Sequence, residues 1–296
     1  MNTKMTHSTI YALDFDGVIC DSAVETTITG WKAAGTIWAD MPTAVPQAKI
    51  EQFRLIRPMI ETGYEAILAM RLLYLEESIE AIGNDYSDKI QRLLSEAQIT
   101  VDELKQMFGE TRDTWIENDL ADWVNMNPLF TNVATKLQRL GDQSTWYIVT
   151  TKQERFVKQI LKANAIELAD EQIFGLDRNM NKMDVLKALL KTHPNDTIHF
   201  VEDRLPTLLN VLNNAELKSV KLIFALWGYN TPQDKALAAQ QTVTLQQLED
   251  FLEWRSGSAW LSGEAWPPVL KIIFRHYQVF IICMIFKFPL FAINYN

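Results

Sequence analysis

The sequence predicts an α/β fold in which a mostly parallel sheet, covered by helices, is interrupted after its first strand by a block of helices. Three observations carry this. A short apolar run at residues 9–13 (TIYAL) stops abruptly at Asp14-Phe15-Asp16-Gly17, which reads as a strand entering a loop. Residues 22–126 then place apolar side chains at helical spacing with no convincing strand run between them. Beyond Pro128, short apolar runs alternate with helical stretches, the pattern of right-handed crossovers joining parallel strands.

Taken in order, the helical block begins after Asp21. Pro42, Pro46 and Pro58 break its first part, and Ile60, Tyr64, Ile67, Leu68, Met70 and residues 72–75 repeat at helical spacing. Val101, Leu104, Phe108, Trp115, Ile116, Leu120 and Trp123 predict a long last helix, bent near Gly109. The following strands are expected at 146–150 (WYIVT), 172–176 (QIFGL), 198–201 (IHFV) and 222–227 (LIFALW). Their helices are expected at 154–163, 183–190, 205–217 and 232–239.

The 296 residues are long enough for one large domain or two modules, and 48% hydrophobic against 22% charged residues is the composition of a globular chain. The net charge of −9 is unevenly spread. After Glu264 there is no acidic residue, while Lys271, Arg275 and Lys287 remain, so the preceding body carries −12 from 25 basic and 37 acidic residues. Such a body argues against non-specific nucleic-acid binding, which needs a basic surface to neutralise phosphates. Two cysteines, Cys20 and Cys283, build no disulfide framework, and residues 1–10 lack the apolar core of a secretory signal. The expectation is a reducing, cytoplasmic setting.

In open α/β sheets ligands bind beyond the carboxyl ends of the strands. Those ends carry Asp14 and Asp16, then Thr150 and Thr151, then Glu202 and Asp203. Two aspartates one residue apart allow one carboxylate to attack while the other moves protons. Gly17 permits close backbone approach, so neighbouring N–H groups can hold an anion. Asp203, with Glu202 beside it, adds the hard oxygen ligands Mg²⁺ prefers. These ingredients suit phosphoryl transfer. Other chemistries fail on inspection: no GxGxxG, P-loop, HExxH or GxSxG motif occurs. His193 and His199 have no partner motif, and Cys20 has no evident base, so ordinary structural roles are expected for them.

The stretch Asp14-Phe15-Asp16-Gly17-Val18-Ile19-Cys20-Asp21-Ser22 resembles the first motif of the haloacid dehalogenase-like hydrolase superfamily, in its phosphoglycolate-phosphatase-like branch. The resemblance spans roughly residues 9–250. It implies a parallel Rossmann-like sheet core with an all-α cap, the core being residues 1–21 and 127–255, the cap 22–126, and 256–296 an apolar tail. It implies Asp14 as a nucleophile forming an aspartyl-phosphate, Asp16 as acid and base, Thr150 as the group binding the transferring phosphoryl, and Lys182 as the charge-neutralising lysine. Gly17, Thr151 and Lys152 are the implied substrate contacts. Asp14, Asp16, Asp203 and Glu202 are the implied metal set for Mg²⁺, with the choice between Glu202 and Asp203 as direct ligand left open. Trp227-Gly228-Tyr229 is similar to the segment ending the next core strand in that branch. The chain departs from the pattern at Glu202, where a glycine is common, and at Thr207, where a second acid is common. Lys152 and Lys187 compete with Lys182, whose spacing to Leu186 favours it.

The expected activity is Mg²⁺-dependent hydrolysis of a small phosphorylated metabolite. A phosphosugar mutase, a dehalogenase of the same fold and a non-catalytic phosphate- or metal-binding protein are the alternatives; Asp16 argues against the dehalogenase, whose leaving halide needs no proton. Arg54, Arg57, Arg71, Lys49 and Tyr64 are candidates to contact a substrate's remote group, and the sequence does not choose among them. The tail is a poor membrane span, since residues 279–293 contain Lys287 and Pro289. A docking segment and an extension that does not pack rank above a peripheral membrane anchor, and oligomeric state is not legible.

Overall fold

The computed structural model describes residues 8–253, so the tail expected at 256–296 and Cys283 lie outside the described residues. A six-stranded sheet runs in the order β3-β2-β1-β4-β5-β6, and every pairing is parallel. Its strands are β1 (Thr9–Leu13), β2 (Thr145–Val149), β3 (Ile173–Phe174), β4 (Thr197–Glu202), β5 (Lys221–Ala225) and β6 (Thr244–Gln246). β1 is central, buried along most of its length, and reads as the continuous apolar run expected of a strand covered on both faces.

Register places the site. Leu13 pairs with Ile148 on one side and Val201 on the other, so Asp14, Thr150 and Glu202-Asp203 leave the sheet at one edge. The Asp14 N–H donates to Val201 O at 2.9 Å, extending the ladder one residue into the loop. This is the convergence of strand ends that the sequence predicts.

Between β1 and β2 the chain forms α1 (Ala23–Ile37), α2 (Gln47–Ile56), α3 (Glu65–Tyr74), α4 (Ile79–Asn84), α5 (Tyr86–Ala97), α6 (Val101–Asn125) and α7 (Val133–Gln143). Trp31, Phe53, Leu68, Leu72, Leu104 and Phe108, from α1, α2, α3 and α6, belong to one buried apolar cluster. A separate cluster joins sheet residues Ile10, Ala12, Phe200 and Phe224 to Leu186 and Leu208 from the helices covering them. The inserted helices thus possess their own core, which is why the helical periodicity of residues 22–126 is readable without reference to the sheet.

The remaining helices are α8 (Glu154–Ala163), α9 (Lys182–Thr192), α10 (Leu205–Leu212), α11 (Pro232–Ala238) and α12 (Leu248–Glu253). Among the described residues no helix is long and apolar enough to cross a membrane.

Four expectations are corrected. The bend of α6 lies at Asp119 (φ −157°, ψ 84°), not near Gly109, because the Asp119 side chain accepts from the Asp122 N–H at 2.9 Å and restarts the helix as a cap. The strand expected at 172–176 is reduced to Ile173–Phe174: Leu176 turns away to donate its N–H to Lys152 O at 3.1 Å. The helix expected at 205–217 ends at Leu212, and the Asn214 side chain caps a separate 3₁₀ turn, Ala215–Leu217. β6 is not among the expected strands, being three residues at a sheet edge with little apolar signal.

Candidate active site

Asp14 emerges from β1 into a buried position, and Lys182 reaches it from the first residue of α9. The Asn181 side chain accepts from the Asp184 N–H at 3.0 Å, which fixes the start of that helix and so the origin of the lysine. Lys182 Nζ lies 2.8 Å from Asp14 Oδ1 and 2.7 Å from Glu202 Oε2. Lys187 points elsewhere, pairing with Glu216.

Asp14, Glu202 and Asp203 are all buried, and each offers an oxygen within 4.8 Å of the others. Burial, reinforced by its carboxylate neighbours, pushes Asp14 up to about 7 even though Lys182 pulls it down. Asp203 is raised well above its ordinary value by burial and by Glu202 and Asp14. Burial alone would lower Lys182, but Asp14 and Glu202 outweigh it and hold the ammonium well above its usual range. Asp14 and Glu202 therefore share one lysine.

The two oxygens of Glu202 are already engaged, Oε2 by Lys182 and Oε1 by the Arg204 N–H at 3.0 Å. Asp203 is different. Its Oδ2 accepts from the Tyr229 N–H at 2.6 Å, while Oδ1 is buried and has no hydrogen-bond partner. Asp203 fits this position only because two glycines make room. A Cβ on Gly17 would lie 2.1 Å from Asp203 Oδ2, and one on Gly228 would lie 2.3 Å from the Asp203 Cβ. Gly17 also adopts φ +95°, which a side chain resists. The Gly17 N–H itself donates to Cys20 O at 2.9 Å, so Gly17 serves here as the space beside Asp203.

Asp16 stands outside this acid cluster. Its Oδ1 accepts from Lys152 Nζ at 3.0 Å, and Lys152 in turn lies 4.0 Å from Glu25 Oε2. Glu25 is gripped by both Nε and Nη2 of Arg112, each at 2.7 Å, and receives further bonds from Thr29 and the Trp123 indole. Burial raises Asp16, but Lys152 and Arg57 outweigh it and keep the carboxyl below its ordinary value. Thr150 Oγ1 accepts from the Lys152 N–H at 3.1 Å, and Thr151 Oγ1 donates to Glu61 O at 3.2 Å. Asp16, Thr151 and Lys152 line a cleft of about 490 Å³, counting its open mouth, whose other walls include Arg57, Phe108 and Arg112 from the helical block.

Sequence reasoning missed Glu25 and Arg112, which lie on helices without a motif, and the roles of Asp21 and Tyr229. Asp21 accepts both Arg54 nitrogens, at 3.1 and 3.0 Å, and the Tyr229 hydroxyl at 2.9 Å. An acid seven residues after the first aspartate, inside the same motif, was the available signal.

No family model matches the chain, and no curated protein does. Solved structures do. One from Haemophilus somnus, described as a predicted phosphoglycolate phosphatase, superposes with a TM-score of 0.54 at 18% identity over 84% of this chain and 98% of the other. Another, described as a predicted phosphatase from Clostridium acetobutylicum, gives 0.51 at 15% identity over 84% and 98%. The chain has the haloacid dehalogenase-like fold. The acid cluster suits a metal ion. Asp14 and Asp203 present buried oxygens of the hard type a small divalent cation takes, and the orphaned Asp203 Oδ1 leaves a lone pair to fill.

Proposed function

We propose that the chain is a Mg²⁺-dependent phosphomonoester hydrolase acting on a small phosphorylated metabolite through an aspartyl-phosphate on Asp14. The observation that carries this reading is the pairing of two differently held aspartates. Asp14 sits against Lys182 within the acid cluster, and Asp16, two residues on, is held on Lys152 at the cleft.

An Asp14 oxygen attacks phosphorus, the P–O bond to the alcohol breaks, and the departing oxygen takes a proton from the Asp16 carboxyl. Lys152 and Arg57 favour the ionised form of Asp16, and the negative charge of an arriving phosphate offsets them and promotes protonation. In the second half Asp16, now a carboxylate, removes a proton from water as it attacks the acyl phosphate; inorganic phosphate leaves and both aspartates are restored. Thr150 and Lys182 hold the phosphoryl oxygens and spread their charge. Asp14 and Asp203 would hold the magnesium, which would supply positive charge against the phosphoryl oxygens. The helices α1–α6, at residues 22–126, act as a cap that shields the cleft from water. The metal set of this proposal is narrower than the sequence implies: Glu202 positions Lys182, and Asp16 works on protons.

The phosphatase names of the two similar structures agree with this reading. The test is release of inorganic phosphate from an aryl phosphate with Mg²⁺, by the native protein and by Asp14→Asn. Loss of phosphate release in a folded Asp14→Asn protein is expected, and normal turnover by it overturns the proposal. An isomerised sugar phosphate in place of free phosphate would instead identify a mutase.

A further inference from the structure

Asp203 is held by the loop that follows β5. The Tyr229 N–H donates to Asp203 Oδ2 at 2.6 Å and the Asn230 side-chain amide to Asp203 O at 3.3 Å, while Oδ1 keeps no partner. The Tyr229 ring occupies the space over Gly17, where an added Cβ would lie 2.9 Å from its Cδ2. Its hydroxyl donates to Asp21 Oδ1 at 2.9 Å.

Asp21 stands where the chain leaves the sheet for the helical block. Its N–H donates to Pro128 O at 2.8 Å, on the segment that returns, and α1 begins at Ala23. Its carboxylate lies outside the acid cluster and instead accepts both terminal nitrogens of Arg54, from α2, at 3.1 and 3.0 Å. Arg54 is thus linked to Asp203 through Asp21 and Tyr229.

With side chains 43% and 24% exposed, the Arg54–Asp21 pair contributes little to stability as an ion pair. Its geometry matters more. A planar guanidinium bonded through two nitrogens fixes the plane of the carboxylate, and so fixes where that carboxylate accepts the Tyr229 hydroxyl. We infer that Asp21 and Tyr229 are positioning residues for Asp203, and that through them Arg54 couples helix α2 to the affinity of the acid cluster for Mg²⁺. Tyr229 transmits the coupling because one residue bonds the hinge acid with its side chain and the cluster with its backbone. By reciprocity, a cation held at Asp14 and Asp203 strengthens the grip of Asp21 on Arg54. The inference rests on the magnesium site of the proposed function and not on turnover.

The test titrates Mg²⁺ into the full chain by calorimetry, with no phosphate or substrate present. Tyr229→Phe keeps the ring and the backbone N–H and deletes only the hydroxyl; it should weaken Mg²⁺ binding about tenfold, the lower end of losses at groups that orient a metal ligand. Arg54→Gln should weaken binding about threefold to tenfold, and Arg54→Lys, which keeps the charge without the planar fork, by less. Added to Tyr229→Phe, Arg54→Gln should change nothing further, because the path from Asp21 is already cut. Arg155→Gln is the control. It breaks another exposed two-nitrogen pair between the layers, Arg155 of α8 on Asp113 of α6 at 3.0 and 2.8 Å, which includes neither Asp21 nor Tyr229, and Mg²⁺ affinity should stay as in the native chain. Unchanged affinity in Tyr229→Phe or in Arg54→Gln, additive losses in the double variant, or an equal loss in Arg155→Gln overturns the inference, as does a native chain that takes up no Mg²⁺. If the affinities follow the expected pattern but phosphate esters release no phosphate, the phosphatase reading fails and the positioning of Asp203 stands.

Discussion

Lys182 places its ammonium 2.7 Å from Glu202 Oε2, and that contact separates two adjacent acids into different tasks. Glu202 holds the lysine against Asp14, while Asp203 keeps an unpartnered oxygen in the acid cluster. Substitution should therefore affect different quantities. Asp203→Asn is expected to raise the Mg²⁺ concentration for half-maximal activity about tenfold to a hundredfold. Glu202→Gln is expected to lower kcat at saturating Mg²⁺ by a similar factor, the usual size of losses at groups that orient a ligand. Mg²⁺ titrations of both variants check this; an unchanged kcat in Glu202→Gln would refute the assignment.

Gly17 and Gly228 approach the same aspartate from two loops, which makes them joint determinants of where Asp203 sits. Gly228→Ala introduces a Cβ 2.3 Å from the Asp203 Cβ and 2.4 Å from Gly17 O, contacts that force a backbone shift. Gly17→Ala adds the strain of φ +95° to a collision with Asp203 Oδ2. Both should lose Mg²⁺-dependent phosphate release at least a hundredfold. Gly17→Ala should also be less stable by about 1–3 kcal/mol from strain, measured by urea unfolding. Gly35→Ala is the control: its added Cβ meets nothing, so phosphate release should be unchanged, and alanine within α1 should stabilise the chain by about 0.5–1 kcal/mol.

The Glu25–Arg112 pair joins α1 to α6 in a buried setting, with side chains 0% and 5% exposed. Removing one partner strands the other charge. Arg112→Met should cost about 3–5 kcal/mol, and the double variant Glu25→Met/Arg112→Met clearly less than the sum of the single ones. A double-mutant cycle in urea measures this. Because Glu25 also faces Lys152, Glu25→Met should shift the pH profile of phosphate release through the Lys152–Asp16 contact, a readout that stability alone would not move.

What was legible in the sequence follows from how local each signal is. The strand ends at Asp14, Thr150 and Glu202-Asp203 are readable because buried parallel strands are short apolar runs that stop where polar chemistry starts, and register then brings those stops together. Lys182 is readable from its motif spacing. Arg112 and Glu25 are not, because 87 residues separate them and nothing local distinguishes either from a solvated helix charge. The same holds for telling Arg54 from Arg57: both stand near the end of one helix, and only the fold shows that Asp21 takes one while the other faces the cleft. The bend of α6 is misplaced by a sequence reading because glycine is the expected weak point of a helix, whereas here a self-capping Asp119 interrupts it.

His199 supplies a pH dependence away from the site. It stands in β4 with its ring edge-on to Tyr11, centroids 5.7 Å apart, and is paired in register with Lys221 of β5. Burial, with the like charge of Lys221, pushes the imidazole down to about 4 from its ordinary 6.5. The unfolded chain therefore binds a proton at this residue in a window where the folded one does not, so stability falls as the pH drops from about 6.5 to about 4 and is fully present above that range. The full shift would correspond to about 3 kcal/mol, and partial exposure of the ring reduces this to about 1–2 kcal/mol. His199→Phe keeps an aromatic body against Tyr11 and removes the titration. Between pH 7 and pH 4 the variant should lose about 1–2 kcal/mol less stability than the native chain, with carboxylate contributions common to both cancelling in the difference. Urea unfolding across that range checks it, and parallel stability curves for the two proteins would show that His199 is not the titrating group.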